Sequence, residues 1–314
     1  MKTLVIEKES PWSVYATLMI KSMVRSEGDV VDVVHVKSVG EATALVSDEE
    51  QMADYYVVVI LGLALSSSRD VALISKIDEL YDQPFTEVIW ANSYGNVPES
   101  DNIEYVGAQS DTESVIMNLY RTLQSSTFFA SRSPVEDVVR GVHDYYTGKS
   151  IGSENIVGSA LVGLYEVFGT YAEELLVNMS VPTLIQNNIE IVKHHLEKQS
   201  KYVTSKANHA RVTRAEIIGI PVTVAVVSAE QFKNEVAERL MSTASTDAVI
   251  VIIMEEFTSD SLFTIRTRNF DALRVAKLIQ PTAGGKFSSA SAWGKVVTAT
   301  NTLGDMLVKF LSEN

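Results

Sequence analysis

The sequence predicts two α/β domains joined by a helical region, and three observations support this prediction. Short β-rich runs alternate with helical runs over the first hundred residues, the pattern is helical from Ser110 to about Ala207, and alternation then resumes. Such alternation is typical of sheets covered by helices, whose strand ends open into ligand-binding loops. We therefore expect a five-stranded, mainly parallel α/β domain over residues 1–130, a helical connector over 131–208, and a smaller mixed-sheet α/β domain over 209–314.

The strands of the first domain are predicted from short runs of apolar and β-branched residues. The clearest run is almost uniformly apolar (YYVVVILG), as expected of a strand that is covered on both faces. Helices are predicted for Pro11–Ser26, where Pro11 suits the first turn, and for Asp70–Tyr81, whose apolar residues recur on one side. The five predicted strands are Thr3–Glu7, Val30–Val36, Tyr55–Gly62, Glu87–Trp90 and Ile103–Val106.

The helical region contains four predicted segments, of which the last is long and polar, as expected of a connector between domains. In that segment His194 and His195 are adjacent, and adjacent helical residues point in directions about 100° apart. They therefore cannot chelate one ion together, and we expect them on a solvated helix face. The predicted helices are Thr112–Gln124, one that begins at Ser133, Ile151–Asn178 and Val181–Tyr202.

The last domain alternates strands and helices again, which predicts a mixed sheet with helices packed on it. The predicted strands are Arg211–Ile217, Val222–Val227, Ala248–Glu255 and Leu262–Thr267. The predicted helices are Ala229–Ser242, Asp271–Ile279 and Asn301–Leu311.

The composition limits the classes of function. The formal net charge is −14 and the sequence pI is about 4.8, so the protein's field opposes broad binding to duplex nucleic acid. The chain has no cysteine, which excludes disulfides, thiolate metal sites and a cysteine nucleophile. The amino terminus lacks an apolar run of signal-peptide length, and the longest apolar stretches fall short of the ~20 residues that cross a bilayer. We expect a cytoplasmic protein with no membrane partner.

A phosphate-binding pattern occurs in the last domain. An arginine-bearing strand, Leu262–Arg268, is followed by Phe270–Ala276 and then by a glycine loop, Ala283–Ser291 (AGGKFSSAS). Glycines allow the backbone to approach a phosphate closely, turn amides can point at its oxygens, and an arginine on the neighbouring strand supplies a forked donor. In order and spacing these segments resemble the DHH/DHHA1 phosphoesterase family, and the resemblance covers nearly the whole chain.

The resemblance also implies what this chain has lost. Family members include nano-RNases, single-strand exonucleases, pyrophosphatases and cyclic-dinucleotide phosphodiesterases. Active members hold two divalent cations, which activate a water and neutralise phosphoryl oxygens. Their ligands lie in a D-x-D motif after strand one, in an Asp after strand three, in D-H-H after strand four and in a helical-region Asp. Here those strand ends read Glu7-Lys8-Glu9, Gly62 and Ala91-Asn92-Ser93, and Lys286 replaces the loop histidine. The resemblance therefore implies a degenerate member with no catalytic residue, no metal and no cofactor.

The candidate ligand-binding residues lie in the glycine loop, on its neighbouring strand and at the end of strand four. Each has an ordinary alternative role. Arg266 could be an ordinary surface arginine on a strand, and Lys286 an ordinary exposed loop lysine. Ser288 and Ser289 could be ordinary loop residues. Asn92 and Ser93 could cap a local turn. The candidates are Arg266, Arg268, Gly284, Gly285, Lys286, Ser288, Ser289, Asn92 and Ser93.

Three hypotheses of function follow. In the first, an inactive protein binds a small nucleotide or a nucleic-acid end in the cleft between its domains, as a sensor, competitor or sequestering agent. In the second, the chain is a protein-interaction scaffold with an empty cleft. In the third, it is a phosphodiesterase with a rearranged single-metal site, in which Glu7, Glu9 and Asp144 hold Mn²⁺ or Mg²⁺. A small nucleotide, a short oligonucleotide or a protein are the expected partners, and the oligomeric state is left open.

Overall fold

The computed structural model describes residues 2–24, 28–65, 68–81, 87–93, 97–108, 113–129, 133–147, 156–177, 180–217, 219–256, 260–285 and 287–295. The chain divides into two compact units, Met1–Lys193 and His194–Asn314, and each unit is described by itself. Among the described residues no helix is both long and apolar enough to cross a membrane.

The first unit contains a parallel sheet of five strands in the order β2-β1-β3-β4-β5. β3 is buried along its whole length, which explains its uniformly apolar sequence. The elements are β1 (Lys2–Glu7), α1 (Pro11–Met23), β2 (Val30–His35), α2 (Val39–Val46), α3 (Glu49–Met52), β3 (Val57–Leu61), α4 (Ser68–Leu80), β4 (Glu87–Ala91) and β5 (Glu104–Val106). All five predicted strands are therefore confirmed to within two residues, whereas α2 and α3 were not predicted.

The helical part of the chain is more broken than the sequence predicts. The single helix expected over Ile151–Asn178 is divided at Gly169, which has a positive φ of 56°. The next expected helix is divided at Asn188. The helices are α5 (Val115–Ser125), α6 (Ser133–Tyr146), α7 (Val157–Phe168), α8 (Tyr171–Val177), α9 (Val181–Asn187) and α10 (Ile189–His209).

The histidine pair on α10 is not the solvated face that the sequence predicts. His194 is exposed, but His195 is buried at 5% exposure. Its ring stacks edge-on against Phe232, with ring centroids 5.6 Å apart. The expectation failed for His195 because a neighbouring element of the second unit covers that side of the helix.

The second unit contains a mixed sheet of six strands in the order β10-β11-β9-β8-β7-β6. Only the β7–β8 pair is parallel. The elements are β6 (Arg211–Ile217), β7 (Ile220–Ser228), α11 (Lys233–Thr243), β8 (Ala248–Glu256), β9 (Asp260–Arg268), α12 (Ala272–Ile279), β10 (Gly284–Gly285) and β11 (Ser289–Lys295). The predicted strands are confirmed, β10 and the first three residues of β11 were expected as part of the glycine loop, and the helix expected over Asn301–Leu311 lies outside the described residues.

Each face of this sheet has its own apolar core. One core packs around α12 and includes Ile252, Phe263 and Ile265, and the other packs around α11 and includes Val251 and Ile253. Alternate residues of β8 and β9 therefore point to opposite helices. On β9 this alternation places Phe263 and Ile265 in the α12 core and turns Arg266 and Arg268 to the α11 side.

Candidate functional site

The carboxyl ends of β1, β3 and β4 meet at one edge of the first sheet, because neighbouring parallel strands run in the same direction. This edge is where the phosphoesterase resemblance would place metal ligands. Glu7, at the end of β1, is fully buried, and its carboxylate accepts hydrogen bonds from Ser13 Oγ at 2.9 Å and Thr17 Oγ1 at 2.7 Å. Ser13 and Thr17 are four residues apart on α1 and so share a face of that helix. Glu7 thus joins β1 to α1.

Gly62 follows β3 and leaves no room for a carboxylate. Its φ is +76°, and a Cβ atom there would lie 2.9 Å from the carbonyl oxygen of Lys8. Its amide donates to the carbonyl of Ala91 at 3.0 Å, which fixes the backbone in this position. Any side chain at residue 62 would be strained both by the positive φ and by the close approach.

Asn92, after β4, holds strand ends together. Its side chain is 2% exposed, and its Nδ2 donates to the carbonyl of Leu63 at 3.0 Å. Its Oδ1 accepts from the amide of Ser93, and its own amide donates to Val106. This is the local capping role that the sequence offered as the alternative. Ser93 is exposed beside it and stays a predicted ligand residue.

The remaining acidic candidates do not complete a metal site. Glu9 is exposed and accepts from the hydroxyl of Tyr165 at 3.2 Å. Burial, and then the Glu9 carboxylate, raises the pKa of Tyr165 above its ordinary value. Asp144 is half-buried on α6, and its neighbour His143 contacts Ser114 Oγ at 2.9 Å. Over the part of the chain that the structure describes, no three His, Asp or Glu side chains are placed to hold a metal ion. The donor set therefore does not fit a two-metal centre.

Arg268 has a structural position in the second unit. Its guanidinium donates to three backbone carbonyls, those of Asp247 at 3.2 Å, Met241 at 3.0 Å and Thr246 at 2.8 Å. These bonds satisfy a carbonyl in the last turn of α11 and fix the turn that leads into β8. The guanidinium of Arg268 is thus held within the fold by backbone contacts.

Arg266 lies two residues earlier on β9, on the same face of the sheet. Its Nη2 donates to Asn234 Oδ1 on α11 at 2.6 Å. In the antiparallel ladder its direct partner is Ser289 of β11. Opposed residues on one face have Cβ atoms about 5 Å apart, so the structure brings these two predicted ligand residues together.

The glycine loop is fixed by backbone bonds. Ser288 accepts from the amide of Thr267 at 2.9 Å, and the carbonyl of Phe287 accepts from the amide of Ala272 at 2.6 Å. The Asp271 carboxylate accepts from the next two amides of α12. The helix N-terminus is thus satisfied internally, and side chains must supply the donors to an anion. Lys286, the predicted loop cation, lies outside the described residues.

The two loop glycines differ in what a methyl group would meet, and this gives a test of the loop. A Cβ at Gly285 would lie 2.4 Å from Cα of Ala290, whereas a Cβ at Gly284 meets nothing within 4 Å. We expect Gly285→Ala to lower the free energy of unfolding of the second unit by about 1–3 kcal/mol, and Gly284→Ala to change it by less than about 0.5 kcal/mol. Denaturation followed by the fluorescence of Trp293 on β11 would measure both changes. Equal stabilities would contradict the close approach.

A partly exposed strip of sheet continues from Arg266. β9 and β11 turn alternate side chains to the side away from the α12 core, and in register these positions form four cross-strand pairs, of which the three nearest the glycine loop are considered together. We call this surface the open strip, and it consists of Arg266 with Ser289, Thr264 with Ser291, and Leu262 with Trp293. Thr264, Ser291 and Trp293 were not predicted as part of this surface, because the Ser-, Ala- and Gly-rich run Ser289–Lys295 (SASAWGK) is a weak strand signal and its register with β9 cannot be seen in the sequence.

The chain resembles solved structures over its whole length. One is a pGpG-specific phosphodiesterase, PggH, from Vibrio cholerae, with 9% sequence identity, coverage of 100% of this chain and 99% of the other, and a TM-score of 0.54. Another is an exopolyphosphatase-related protein from Bacteroides fragilis, with 11% identity, coverage of 99% and 92%, and a TM-score of 0.52. The chain shares its fold with these proteins.

The predicted fold class, a parallel five-stranded α/β sheet followed by a smaller mixed sheet, is therefore confirmed. No protein-family model and no curated protein sequence matches the chain. Because the sequence identities are only 9% and 11%, the structural similarity establishes the fold alone. The functional site must therefore be argued from the residues of this chain.

Proposed function

We propose that the chain binds a small nucleotide, or the end of a short nucleic acid, through a phosphate group at the Arg266 end of the open strip, and that it does not hydrolyse its ligand. The observation that carries the proposal is the pairing of Arg266 with Ser289 across β9 and β11. A guanidinium offers a planar fork of donors suited to phosphate, and a hydroxyl opposite it adds a further donor.

The adjoining backbone suits a phosphate as well. Gly284 is exposed, and added atoms at its Cβ position would meet open space, so a ligand can approach the main chain there. Ser288 belongs to the same fixed loop. The proposed phosphate site therefore comprises Arg266, Ser289, the glycine backbone and Ser288, with Lys286 as its expected second cation.

The proposed absence of hydrolysis is supported by the residues at the carboxyl ends of β1, β3 and β4. Glu7 is bound by two hydroxyl groups of α1, Gly62 cannot carry a side chain without strain, and Asn92 is bonded to backbone carbonyls. Those positions supply structural contacts where the resemblance would require metal ligands. A protein of this kind is suited to act as a sensor, a competitor or a sequestering agent.

The overall charge favours a small ligand over a long one. With a net charge of −14, the chain repels an extended phosphate backbone, while a local cation can still hold one or two phosphates. We accordingly propose no binding to bulk duplex nucleic acid.

The test is a thermal-shift screen against mono-, di-, cyclic and short oligonucleotides, with and without Mn²⁺. Because a ligand that binds the folded state raises the melting temperature, we expect a metal-independent rise with at least one compound. Arg266→Ala should lower the affinity about 10- to 150-fold, which corresponds to the loss of a charged hydrogen bond. Arg239→Ala, which removes an exposed charge from α11, is the matched control and should bind as the wild type does.

Three results would count against the proposal. A screen without any shift would favour the scaffold hypothesis, and unchanged binding by Arg266→Ala would move the site elsewhere. Divalent-dependent cleavage that is abolished by Glu9→Ala or Asp144→Ala would support the single-metal enzyme instead.

A further inference from the structure

The end of the open strip away from Arg266 carries a half-exposed aromatic ring. Trp293 is 50% exposed, although its apolar area favours burial. Its backbone amide donates to Gln280 Oε1 at 2.7 Å, which fixes the strand at this position. Its cross-strand partner is Leu262, so the third pair of the strip is apolar, and the next pair on this side of the sheet is Asp260 with Lys295.

Between this apolar pair and Arg266 the strip is lined by short side chains. Thr264 and Ser291 form the middle pair, and Gly284 lies opposite Ser291 on the next strand. The surface is therefore low in the middle and higher at its two ends. Ser289 and Trp293 are four residues apart, which is about 13 Å along a strand.

We propose that Trp293 stacks on a nucleobase of the ligand whose phosphate is held by Arg266. This inference rests on the proposed phosphate site, because a phosphate bound by Arg266 sets which way the ligand lies along the open strip. Every base has a π-face, so stacking accepts all bases, but a purine covers more of an indole ring than a pyrimidine does.

The inference also specifies the strandedness of the ligand. The face that stacks on Trp293 must be free of other bases, and in a duplex only terminal base pairs expose such a face. The ligand class is therefore a phosphorylated nucleotide or single-stranded oligonucleotide with a purine within reach of Trp293, recognised by stacking.

The fluorescence of the protein offers a direct readout. The chain has three tryptophans, and Trp12 and Trp90 are 7% and 0% exposed. Quenching on titration with a 5′-phosphorylated adenine trinucleotide should therefore report Trp293. We expect quenching in the wild type and its loss in Trp293→Phe.

Affinity for purine and pyrimidine ligands separates stacking from a structural role. We expect the wild type to bind the adenine trinucleotide more tightly than the cytosine trinucleotide. Trp293→Ala should weaken adenine binding about 5- to 150-fold and bring the two affinities close together, while Trp293→Phe should retain most of the preference. Tyr171→Ala removes an exposed ring from the first unit and serves as the matched control.

The outcomes distinguish the inference from the proposed function. If Trp293→Ala keeps the wild-type preference, or weakens both trinucleotides by the same factor, the stacking role is wrong and the phosphate site stands. If the wild type binds neither trinucleotide nor any compound of the screen, both are wrong. Arg266→Ala should reduce the salt dependence of binding and Trp293→Ala should not, because only the arginine contacts phosphate.

Discussion

Glu7→Ala is expected to lower the free energy of unfolding of the first unit by about 3 kcal/mol. The substitution leaves the Thr17 hydroxyl facing a buried space without its carboxylate acceptor, while Ser13 Oγ keeps the carbonyls of Lys8 and Ser10 as acceptors, so most of the cost falls on Thr17 and on the vacated space. Glu9→Ala is the matched control, because it removes an exposed carboxylate two residues away that accepts from Tyr165. It should cost less than about 1 kcal/mol.

Urea denaturation followed by the fluorescence of Trp12 and Trp90 would measure both variants, since both rings are buried in the first unit. The two units need not unfold together, so both variants should be compared in a Trp293→Phe background, in which only Trp12 and Trp90 emit. A Glu7→Ala protein with wild-type stability would contradict the structural role of this carboxylate and would reopen the single-metal hypothesis.

Gly158→Ala is expected to cost about 3 kcal/mol, because α6 and α7 meet at two glycines. A Cβ at residue 158 would lie 2.4 Å from the carbonyl oxygen of Gly141 and 2.9 Å from Cβ of Tyr145. The nearest atom belongs to the backbone, so it cannot rotate away and the helices would have to separate. Their separation would also disturb α1, whose Tyr15 hydroxyl donates to the carbonyl of Leu161 on α7.

The control for this prediction is Gly40→Ala on α2. The nearest atom to an added Cβ there is Ser38 Oγ at 3.7 Å, an ordinary contact, and residue 40 is exposed. Because alanine loses less conformational freedom than glycine in a helix, Gly40→Ala should raise the free energy of unfolding by up to about 1 kcal/mol. Equal midpoints for the two variants in thermal unfolding would show that α6 and α7 are not closely packed.

The strands could be predicted because a buried strand is a short, continuous run of apolar residues in the sequence. Val57–Leu61 consists of five buried apolar residues, and no helix signal competes with it. β11 could not be predicted in the same way. Its Ser-, Ala- and Gly-rich sequence has weak β propensity, and its extended conformation comes from pairing with β9 along seven residues.

The ends of the helices could not be predicted from the local apolar pattern, because they are set by contacts with residues elsewhere in the chain. The apolar pattern continues across Gly169, so the sequence alone favoured one helix where the structure has two. The same limit applied to His195, whose burial depends on Phe232 in a distant part of the sequence.

The candidate site was only partly accessible from the sequence. Arg266 and Arg268 are two residues apart on one face of β9, and nothing local separates their roles. The difference arises because the end of α11 and the following turn present three carbonyls to Arg268. Trp293 was missed because β11 itself was not predicted, and without the strand its register with Leu262 could not be seen.

The contact between Gly62 and the Lys8 carbonyl also bears on protein engineering. An engineer who wished to place a metal-binding carboxylate after β3 would first substitute aspartate at residue 62. That residue would have to adopt a left-handed conformation with its Cβ pressed against a peptide oxygen. The turn after β3, with its bond from Gly62 to Ala91, must therefore be rebuilt before any ligand set is grafted. At this position the course of the main chain opposes a carboxylate, and side-chain replacement alone cannot remove that obstacle.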